Sequence, residues 1–244
     1  MKRNKKSKNP NNMTFREHLH ELKLRALFTL FIFIIIFLFW YLHCNDIINI
    51  VTEIGANSGY SLVYISPHEV LVQQLRLAAL FSLLTIIPLI LYQVCAFISP
   101  IFEKKTSLIK LFVFCIVLMI LMLIGIAFSY IILLPFIYKF MNIVGNEANI
   151  KAQVSLENYI NTFVSITMWI SMFMEIPLIC VILTRLGIIT ADLMKKARPV
   201  VIVTIFIIAA IITPPDIISQ CMVAVPLVVL YQLSIMICKF IRRK

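Results

Sequence analysis

The chain has 244 residues, of which 61% are hydrophobic and only 14% are charged. A soluble globular domain carries charge on about a quarter of its residues, so this composition excludes a soluble fold and requires much of the apolar surface to face lipid. The net charge of +11 does not indicate a nucleic-acid partner, because the basic residues lie in short runs at the ends of apolar segments.

The N-terminus predicts a polar tail followed by a helix that enters the membrane. Residues 1–12 are basic, have almost no apolar content and are expected to be disordered. Thr14 followed by Glu17 has the spacing of a capping box, with Glu17 at the third helical position. The first apolar span follows at about 26–44. No small-residue cleavage site accompanies it, which is typical of a retained span rather than a signal peptide.

Five further apolar segments follow, and the six together predict a single membrane domain over residues 13–238, with a basic tail at 239–244. The spans are expected at about 26–44, 75–98, 111–137, 159–186, 199–212 and 217–237. The predicted fold is therefore an all-α integral membrane protein with six transmembrane helices. The fifth segment would rise only about 21 Å as a helix, against a hydrocarbon core of about 30 Å. Either the bilayer thins around the short fifth and sixth helices or these helices lean on their neighbours.

Polar residues before the second and fourth spans predict the intervening connections. Residues 45–65 are expected to form a polar loop, and residues 138–156 another polar connection. Ser66 and Glu69 repeat the capping-box spacing, with proline at the first helical position between them and Glu69 at the third.

Two more helix starts are expected late in the chain. Residues 185–198 favour a short amphipathic helix that Thr190 caps. Thr213, Pro214 and Asp216 have the chemistry of a helix start, so capping of the sixth span explains this acidic residue without a further role.

The basic residues predict the orientation in the membrane. With six spans, the two termini and the loops at 99–110 and 185–198 share one side, and they hold all but three of the 22 Lys and Arg residues; the exceptions are Arg76, Lys139 and Lys151. The positive-inside rule puts that side in the cytoplasm or its organellar equivalent. A bacterial plasma membrane is favoured, with an organellar inner or thylakoid membrane as the alternative.

Catalytic and metal-binding motifs are absent from the sequence. There is no phosphate-binding G-x-x-x-x-G-K-[ST] loop, no H-E-x-x-H and no G-x-S-x-G. His18 and His20 point to different helix faces, and none of the six cysteines forms a C-x-x-C pair. We therefore expect neither an enzyme nor a bound metal or cofactor.

Two acidic residues outside the spans are candidates for binding. Glu21 either pairs with Arg25 one helical turn later or accepts a basic ligand at the membrane surface, and spacing alone leaves both readings open. Glu103 lies beside two lysines in an inside-facing loop, where a solvated loop charge is the simpler interpretation.

A third acidic residue, Glu175, lies within the fourth span. A charge at that depth costs about 2.5–3.5 kcal/mol on insertion scales, so such a residue usually faces a partner or a hydrated cavity. Pro177 frees a backbone carbonyl nearby and makes this part of the span more polar. One function that this suggests is a proton-coupled small-solute transporter with Glu175 as the proton carrier. Such folds often show internal repeats, and none is visible here.

Five segments of the sequence resemble the TatC family, the membrane receptor component of twin-arginine protein export. They are residues 18–25 (HLHELKLR), 88–97 (PLILYQVCAF, with Pro100), 173–177 (FMEIP), 186–187 (LG) and 213–220 (TPPDIISQ). The six-span topology with both termini inside is also typical of this family.

The resemblance implies a function without covalent chemistry. TatC-like proteins bind the twin-arginine signal peptides of folded cargo and recruit single-span partners of the TatA and TatB type into an oligomeric complex, and the proton-motive force drives transport. By similarity, the signal-binding patch comprises Glu21, Lys23, Arg25, Phe97 and Glu103. Carboxylates in this patch would favour the arginines of the signal over lysines, because a guanidinium group can donate two parallel hydrogen bonds to a carboxylate and an ammonium group cannot. Polar contacts with partner or signal helices fall, by similarity, on Glu175, Gln220 and Gln232, and the fifth and sixth spans form the docking surface.

The sequence departs from the family pattern at three positions. Lys23 stands where the family usually has arginine, and Thr106 stands where it has the loop glutamate, so the nearest acidic residue is Glu103. Gln232 replaces a common acidic residue, so any partner contact there is uncharged.

Overall fold

The computed structural model of the protein describes residues 15–98, 108–147, 153–185, 187–213 and 216–242. Over these residues the chain forms nine α-helices joined by short connections. The helices are α1 (Phe15–Leu42), α2 (Cys44–Asn57), α3 (Glu69–Ile98), α4 (Leu108–Phe128), α5 (Leu134–Glu147), α6 (Leu156–Phe173), α7 (Ile176–Arg185), α8 (Ala191–Ile212) and α9 (Ile217–Arg242). A π-helical turn (Ser129–Leu133) joins α4 to α5, and the strands β1 (Ser61–Val63) and β2 (Gln153–Ser155) pair in parallel.

Five helical stretches of the described chain are long and apolar enough to cross a membrane. They are Leu22–Leu42, Glu69–Val94, Val113–Gly145, Leu156–Arg185 and Ile217–Ile241. The sixth apolar segment belongs to α8, whose first turns carry Lys195, Lys196 and Arg198, so only residues 199–212 are continuously apolar. The predicted all-α scaffold with a short fifth segment is confirmed.

The helices pack in an order that brings distant parts of the sequence together. Helix α3 packs against α1 and α6, α6 packs against α4, and α9 packs against α7 and α8. Phe163 and Ile160 of α6 and Leu77 and Leu84 of α3 are almost completely buried in the resulting core. Gly125 lets α4 approach α6 closely, because a Cβ atom there would lie 2.7 Å from the Cα atom of Ser171.

The prediction of a polar loop over residues 45–65 is wrong for the first part of this segment, which forms the amphipathic helix α2. Ile47, Val51 and Ile54 recur at intervals of three and four residues and are buried, whereas Asn49 and Glu53 are exposed. Burial of this one apolar face stabilises a helix in a segment whose average composition is polar.

The polar connection expected over residues 138–156 is helical in its first half, up to Glu147. The third membrane helix passes through the π-helical turn and continues as α5 to Glu147. At the turn, the hydroxyl groups of Ser129 and Thr167 lie 2.9 Å apart and tie it to α6. The helix therefore extends ten residues beyond the predicted end of the span at residue 137.

The fourth span is broken at Met174–Glu175 rather than being one helix. Pro177 has no N–H group and cannot donate to the carbonyl of Phe173, so α6 ends there. A new helix begins at Ile176, where proline is tolerated because N–H groups of the first turn have no helical acceptor.

The region from Thr190 to Ile212 is one helix rather than a short helix followed by a separate span. Thr190 caps it by accepting a hydrogen bond from the Leu193 N–H group (3.2 Å), and the helix continues through Pro199. Thr213 does not start the last helix as expected. It is the C-terminal cap of α8: its backbone is extended (φ −92°, ψ 157°), and its hydroxyl group donates to the carbonyl of Ala209 (2.9 Å).

The helix caps fall on residues close to those predicted. Asp216 precedes α9, and its carboxylate accepts from the Ser219 N–H group (3.0 Å). Glu69 is the first residue of α3, not its third, and it accepts from the N–H groups of Ile65 (2.8 Å) and Ser66 (3.4 Å). Glu17 lies in the first turn of α1, whereas Thr14 and Pro214 fall outside the described residues.

The end of the bundle that carries β1 and β2, here called the strand end, is tied together by side-chain bonds to backbone groups. Glu69 accepts a third hydrogen bond from the N–H group of Glu157 (2.7 Å), so one carboxylate joins the starts of α3 and α6. The Tyr60 hydroxyl group donates to the carbonyl of Tyr138 (3.0 Å). Burial raises the pKa of the Tyr60 phenol above its usual value, which keeps this donor protonated.

Candidate functional site

The opposite end of the bundle, where α1 begins and α3 ends, is here called the α1 end. Helices α1 and α3 run antiparallel there, since Arg25 meets Gln93 and Trp40 meets Thr85. Glu21 lies in α1 one turn before Arg25, and Phe97 lies in α3 one turn after Gln93. The structure thus brings the backbone positions of two predicted signal-binding residues to the same end of the bundle.

The three remaining residues of the predicted signal-binding patch differ in their surroundings. Lys23 is exposed. Arg25 is half-buried, and its Nη1 atom donates a 2.7 Å hydrogen bond to the Oε1 atom of Gln93. Glu103 lies outside the described residues, as does Thr106.

Glu175 lies at the break between α6 and α7. Its side chain is only 1% exposed, and neither carboxylate oxygen has a hydrogen-bond partner among the described residues. The Ser171 hydroxyl group, one turn earlier, is also buried without a partner there. A buried polar group that lacks a hydrogen bond costs about 1–3 kcal/mol in protein measurements. The break therefore holds unsatisfied hydrogen-bonding groups inside the membrane domain.

Helices α8 and α9 form a shallow apolar groove of about 430 Å³. Ile202, Phe206 and Ala210 of α8 contribute to its lining, and Gln220 of α9 supplies its polar group. The Nε2 atom of Gln220 donates to the carbonyl of Phe206 (2.9 Å), which fixes the amide at the side of the groove. Gln232, two turns beyond the proline of α9, has a buried Oε1 atom without a partner among the described residues.

A second cavity, of about 230 Å³, lies at the strand end beside the start of α3. Glu69, Gln73 and Ser155 contribute to its polar lining. The Gln73 side chain is completely buried, and both ends of its amide lack a partner among the described residues. The cavity is polar and has room for ordered water, which would satisfy this amide.

These features define the class of protein. The described chain is a helical membrane protein with polar groups at its helix ends, a buried carboxylate without a partner among the described residues (Glu175) and an apolar groove on its shortest membrane segment. Within the described residues, no group of three or more His, Cys, Asp or Glu side chains could hold a metal ion. Such an arrangement suits the binding of other peptides and helices.

Comparison with known proteins identifies the family. Residues 17–226 match the family model of the Sec-independent protein translocase protein (TatC). Over 235 residues the chain is 32% identical to the Sec-independent protein translocase protein TatCy of Bacillus subtilis (strain 168), covering 96% of this chain and 92% of that protein. It is 30% identical over 233 residues to TatC of Listeria innocua, covering 96% and 94% respectively.

A solved structure gives the same result. The crystal structure of the twin arginine translocase receptor TatC in DDM superposes with a TM-score of 0.83 at 27% sequence identity, covering 91% of this chain and 99% of that one. The chain belongs to the TatC family. It is therefore a component of a protein translocase and not an enzyme, and the family assignment favours this function over the small-solute transporter considered above.

Some features of the site were not predicted from the sequence. Gln93 is a polar residue inside a mainly apolar part of its span, and that contrast is a signal that could have identified it, whereas Gln73 lies beside Gln74 and Arg76 before the predicted span and has no such signal. Their partners and surroundings depend on the packing of α3 against α1 and α6, which spacing along the chain does not determine.

Proposed function

We propose that this chain is the receptor subunit of a twin-arginine translocation system and that it binds twin-arginine signal peptides at the α1 end. The observation that carries the proposal is the antiparallel packing of α1 against α3, with Arg25 bonded to Gln93, which supports a shared patch around Glu21 and Phe97. Family membership supports the same function. The Glu21 carboxylate would pair with an arginine of the signal, because a guanidinium group donates two parallel hydrogen bonds to one carboxylate.

The orientation follows from the charge distribution. The α1 end would face the cytoplasm of a bacterial cell, with both termini inside, because basic residues are concentrated at that side of the spans. Fusions of a reporter that is active only in the cytoplasm test this. Activity of a fusion after Lys244 is expected, and activity after Asn57 instead would reverse the orientation.

Partner docking is assigned to the groove between α8 and α9. An apolar surface with one fixed amide suits a single membrane helix, and TatA- and TatB-type proteins are, by the resemblance, single-span membrane proteins. A photocrosslinker at Val203, which lines the groove and is exposed, should capture such a partner. A crosslinker at Leu30, exposed on α1, serves as the control.

The decisive test of the receptor function is genetic. Cells that lack their own TatC are given this chain, its partner proteins and a folded reporter with a twin-arginine signal. Export is expected with the native signal, and it should stop when both arginines are changed to lysine or when a protonophore removes the proton-motive force. Export that survives the arginine changes would contradict the proposal. A photocrosslinker at Glu21 should in addition capture the signal peptide.

A further inference from the structure

The α1 end contains one contact that the proposed signal-binding patch does not itself explain. The Arg25 Nη1 atom donates to the Gln93 Oε1 atom at 2.7 Å, between residues 68 positions apart, and both side chains are half-buried. The two residues are each one helical turn away from a residue of the patch: Arg25 follows Glu21, and Gln93 precedes Phe97.

The first half of helix α1 is largely exposed on the side away from α3. Leu22, Leu24, Leu27 and Phe28 are all exposed on this part of the helix, as lipid-facing residues are. Lipid contacts do not fix the position of one helix relative to another, because lipid tails solvate apolar side chains as well as a neighbouring helix does. A hydrogen bond between helices can fix it, and one with a charged donor is about twice as strong as a neutral one.

Polar bonds connect α1 and its C-terminal junction to α3 at three levels. At the strand end the Cys44 thiol donates to the carbonyl of Gln74 (3.0 Å), and in the middle the Trp40 indole donates to Thr85 (3.1 Å). The third bond, from Arg25 to Gln93, lies nearest to the proposed signal-binding patch.

We propose that Gln93 is a positioning residue for signal-peptide recognition: by accepting the hydrogen bond from Arg25, it sets the separation between the α1 turn that carries Glu21 and the α3 turn that carries Phe97. This inference rests on the proposed receptor function. A neutral amide suits the task, because it accepts the bond without adding a second carboxylate that would attract the arginines of the signal away from Glu21. Arg25 is then a structural residue of the patch rather than a ligand of the signal.

The test compares two glutamines of the same helix. Gln93→Leu removes the bond to α1 at the α1 end. Gln74→Leu is the matched control, because the Gln74 amide donates a 2.8 Å bond to Asn45 at the strand end. Binding of a fluorescent twin-arginine signal peptide and of its twin-lysine variant is measured on the full-length protein in lipid nanodiscs. Gln93→Leu should weaken twin-arginine binding about tenfold and reduce discrimination against twin lysine, whereas Gln74→Leu leaves both within about twofold.

Hydrogen–deuterium exchange supplies a readout that does not depend on the peptide. Backbone amides of residues 20–28 and 90–97 should exchange faster in Gln93→Leu without any ligand present. A double variant, Arg25→Gln with Gln93→Arg, swaps the donor and the acceptor between the two helices. It should restore both the slow hydrogen–deuterium exchange and the peptide binding.

The outcomes separate the two proposals. Weak peptide binding with unchanged exchange would mean that Gln93 contacts the signal directly, which overturns the positioning role. The positioning role would also be overturned if Gln93→Leu changed neither peptide binding nor hydrogen–deuterium exchange. Failure of the double variant to restore either property would overturn it too. A wild-type protein that does not discriminate twin arginine from twin lysine contradicts the receptor function, while the exchange experiment still decides whether Gln93 fixes α1 to α3.

Discussion

The Tyr159 hydroxyl group donates a 2.6 Å hydrogen bond to the backbone carbonyl of Val51, 108 residues earlier in the chain. Both residues are only 1% exposed, so the bond joins α6 to the amphipathic helix α2 inside the strand end. Tyr138 in turn donates to the carbonyl of Tyr159 (3.0 Å), and the two rings stack with centroids 4.7 Å apart. The segment that looked like a polar loop in the sequence is therefore held by buried bonds.

Replacing Tyr159 by phenylalanine tests this bond alone, since the ring and its stacking remain. We expect a loss of about 1 kcal/mol in the free energy of unfolding, the usual net value of one such hydrogen bond. Urea-induced unfolding of the purified protein in detergent micelles measures it. Tyr130→Phe is the control, because Tyr130 makes a longer, exposed bond of 3.3 Å to the carbonyl of Ile50. An equal loss of unfolding free energy in both variants would contradict the expectation that the buried bond stabilises the fold more than the exposed one.

Glu69→Gln should destabilise the protein by about 1–3 kcal/mol, because a neutral amide cannot replace a carboxylate that accepts from three backbone N–H groups. Thermal unfolding of the two purified variants gives the comparison. Glu157→Gln is the matched control: its carboxylate lies 3.4 Å from Arg76 in an ion pair whose side chains are 50% and 39% exposed. Exposed pairs contribute about 0–1 kcal/mol. A control that is as damaging as Glu69→Gln would show that charge at this end, rather than the backbone bonds, stabilises the fold.

Gly125→Ala should separate α4 from α6 and cost about 1–3 kcal/mol, as overpacking of a core does. The added Cβ atom would lie 2.7 Å from the Cα atom of Ser171, and backbone cannot move aside as a flexible side chain can. Gly145→Ala is the control, because no heavy atom lies within 4 Å of a Cβ at that position. Alanine is also the better helix former there by up to about 1 kcal/mol. The midpoints of thermal unfolding should therefore move in opposite directions.

The features that could be predicted from the sequence are those that one segment determines by itself. Hydropathy marks the spans because each segment must be apolar over the bilayer thickness. The caps at Thr190 and Asp216 depend on residues within three positions. The spacing of Ile47, Val51 and Ile54 also carried the signal for α2, although the polar average of the segment hid it.

The features that could not be predicted depend on contacts between distant segments. The bond between Arg25 and Gln93 joins residues 68 positions apart, and the third bond to Glu69 comes from a residue 88 positions away. The continuation of α8 through Pro199 likewise contradicts local propensity, since proline cannot donate a helical backbone bond, and α8 packs against the distant helix α9. The Glu21 and Phe97 turns were assigned to one patch by family resemblance, and their common end of the bundle follows from the antiparallel helices.

Glu175 should show opposite effects on stability and on transport. Its carboxylate is 1% exposed and unpartnered among the described residues, so Glu175→Leu removes the cost of burying it and should raise the thermal midpoint of the purified chain. If the carboxylate serves a partner or signal helix in the assembled complex, the same change, like Glu175→Ala, should reduce transport and partner copurification more than initial signal binding. Leu178→Ala, one turn into α7, is a control that changes packing without touching a polar group. A Glu175→Leu protein that loses signal binding while its partners still copurify would show that this division of roles is reversed.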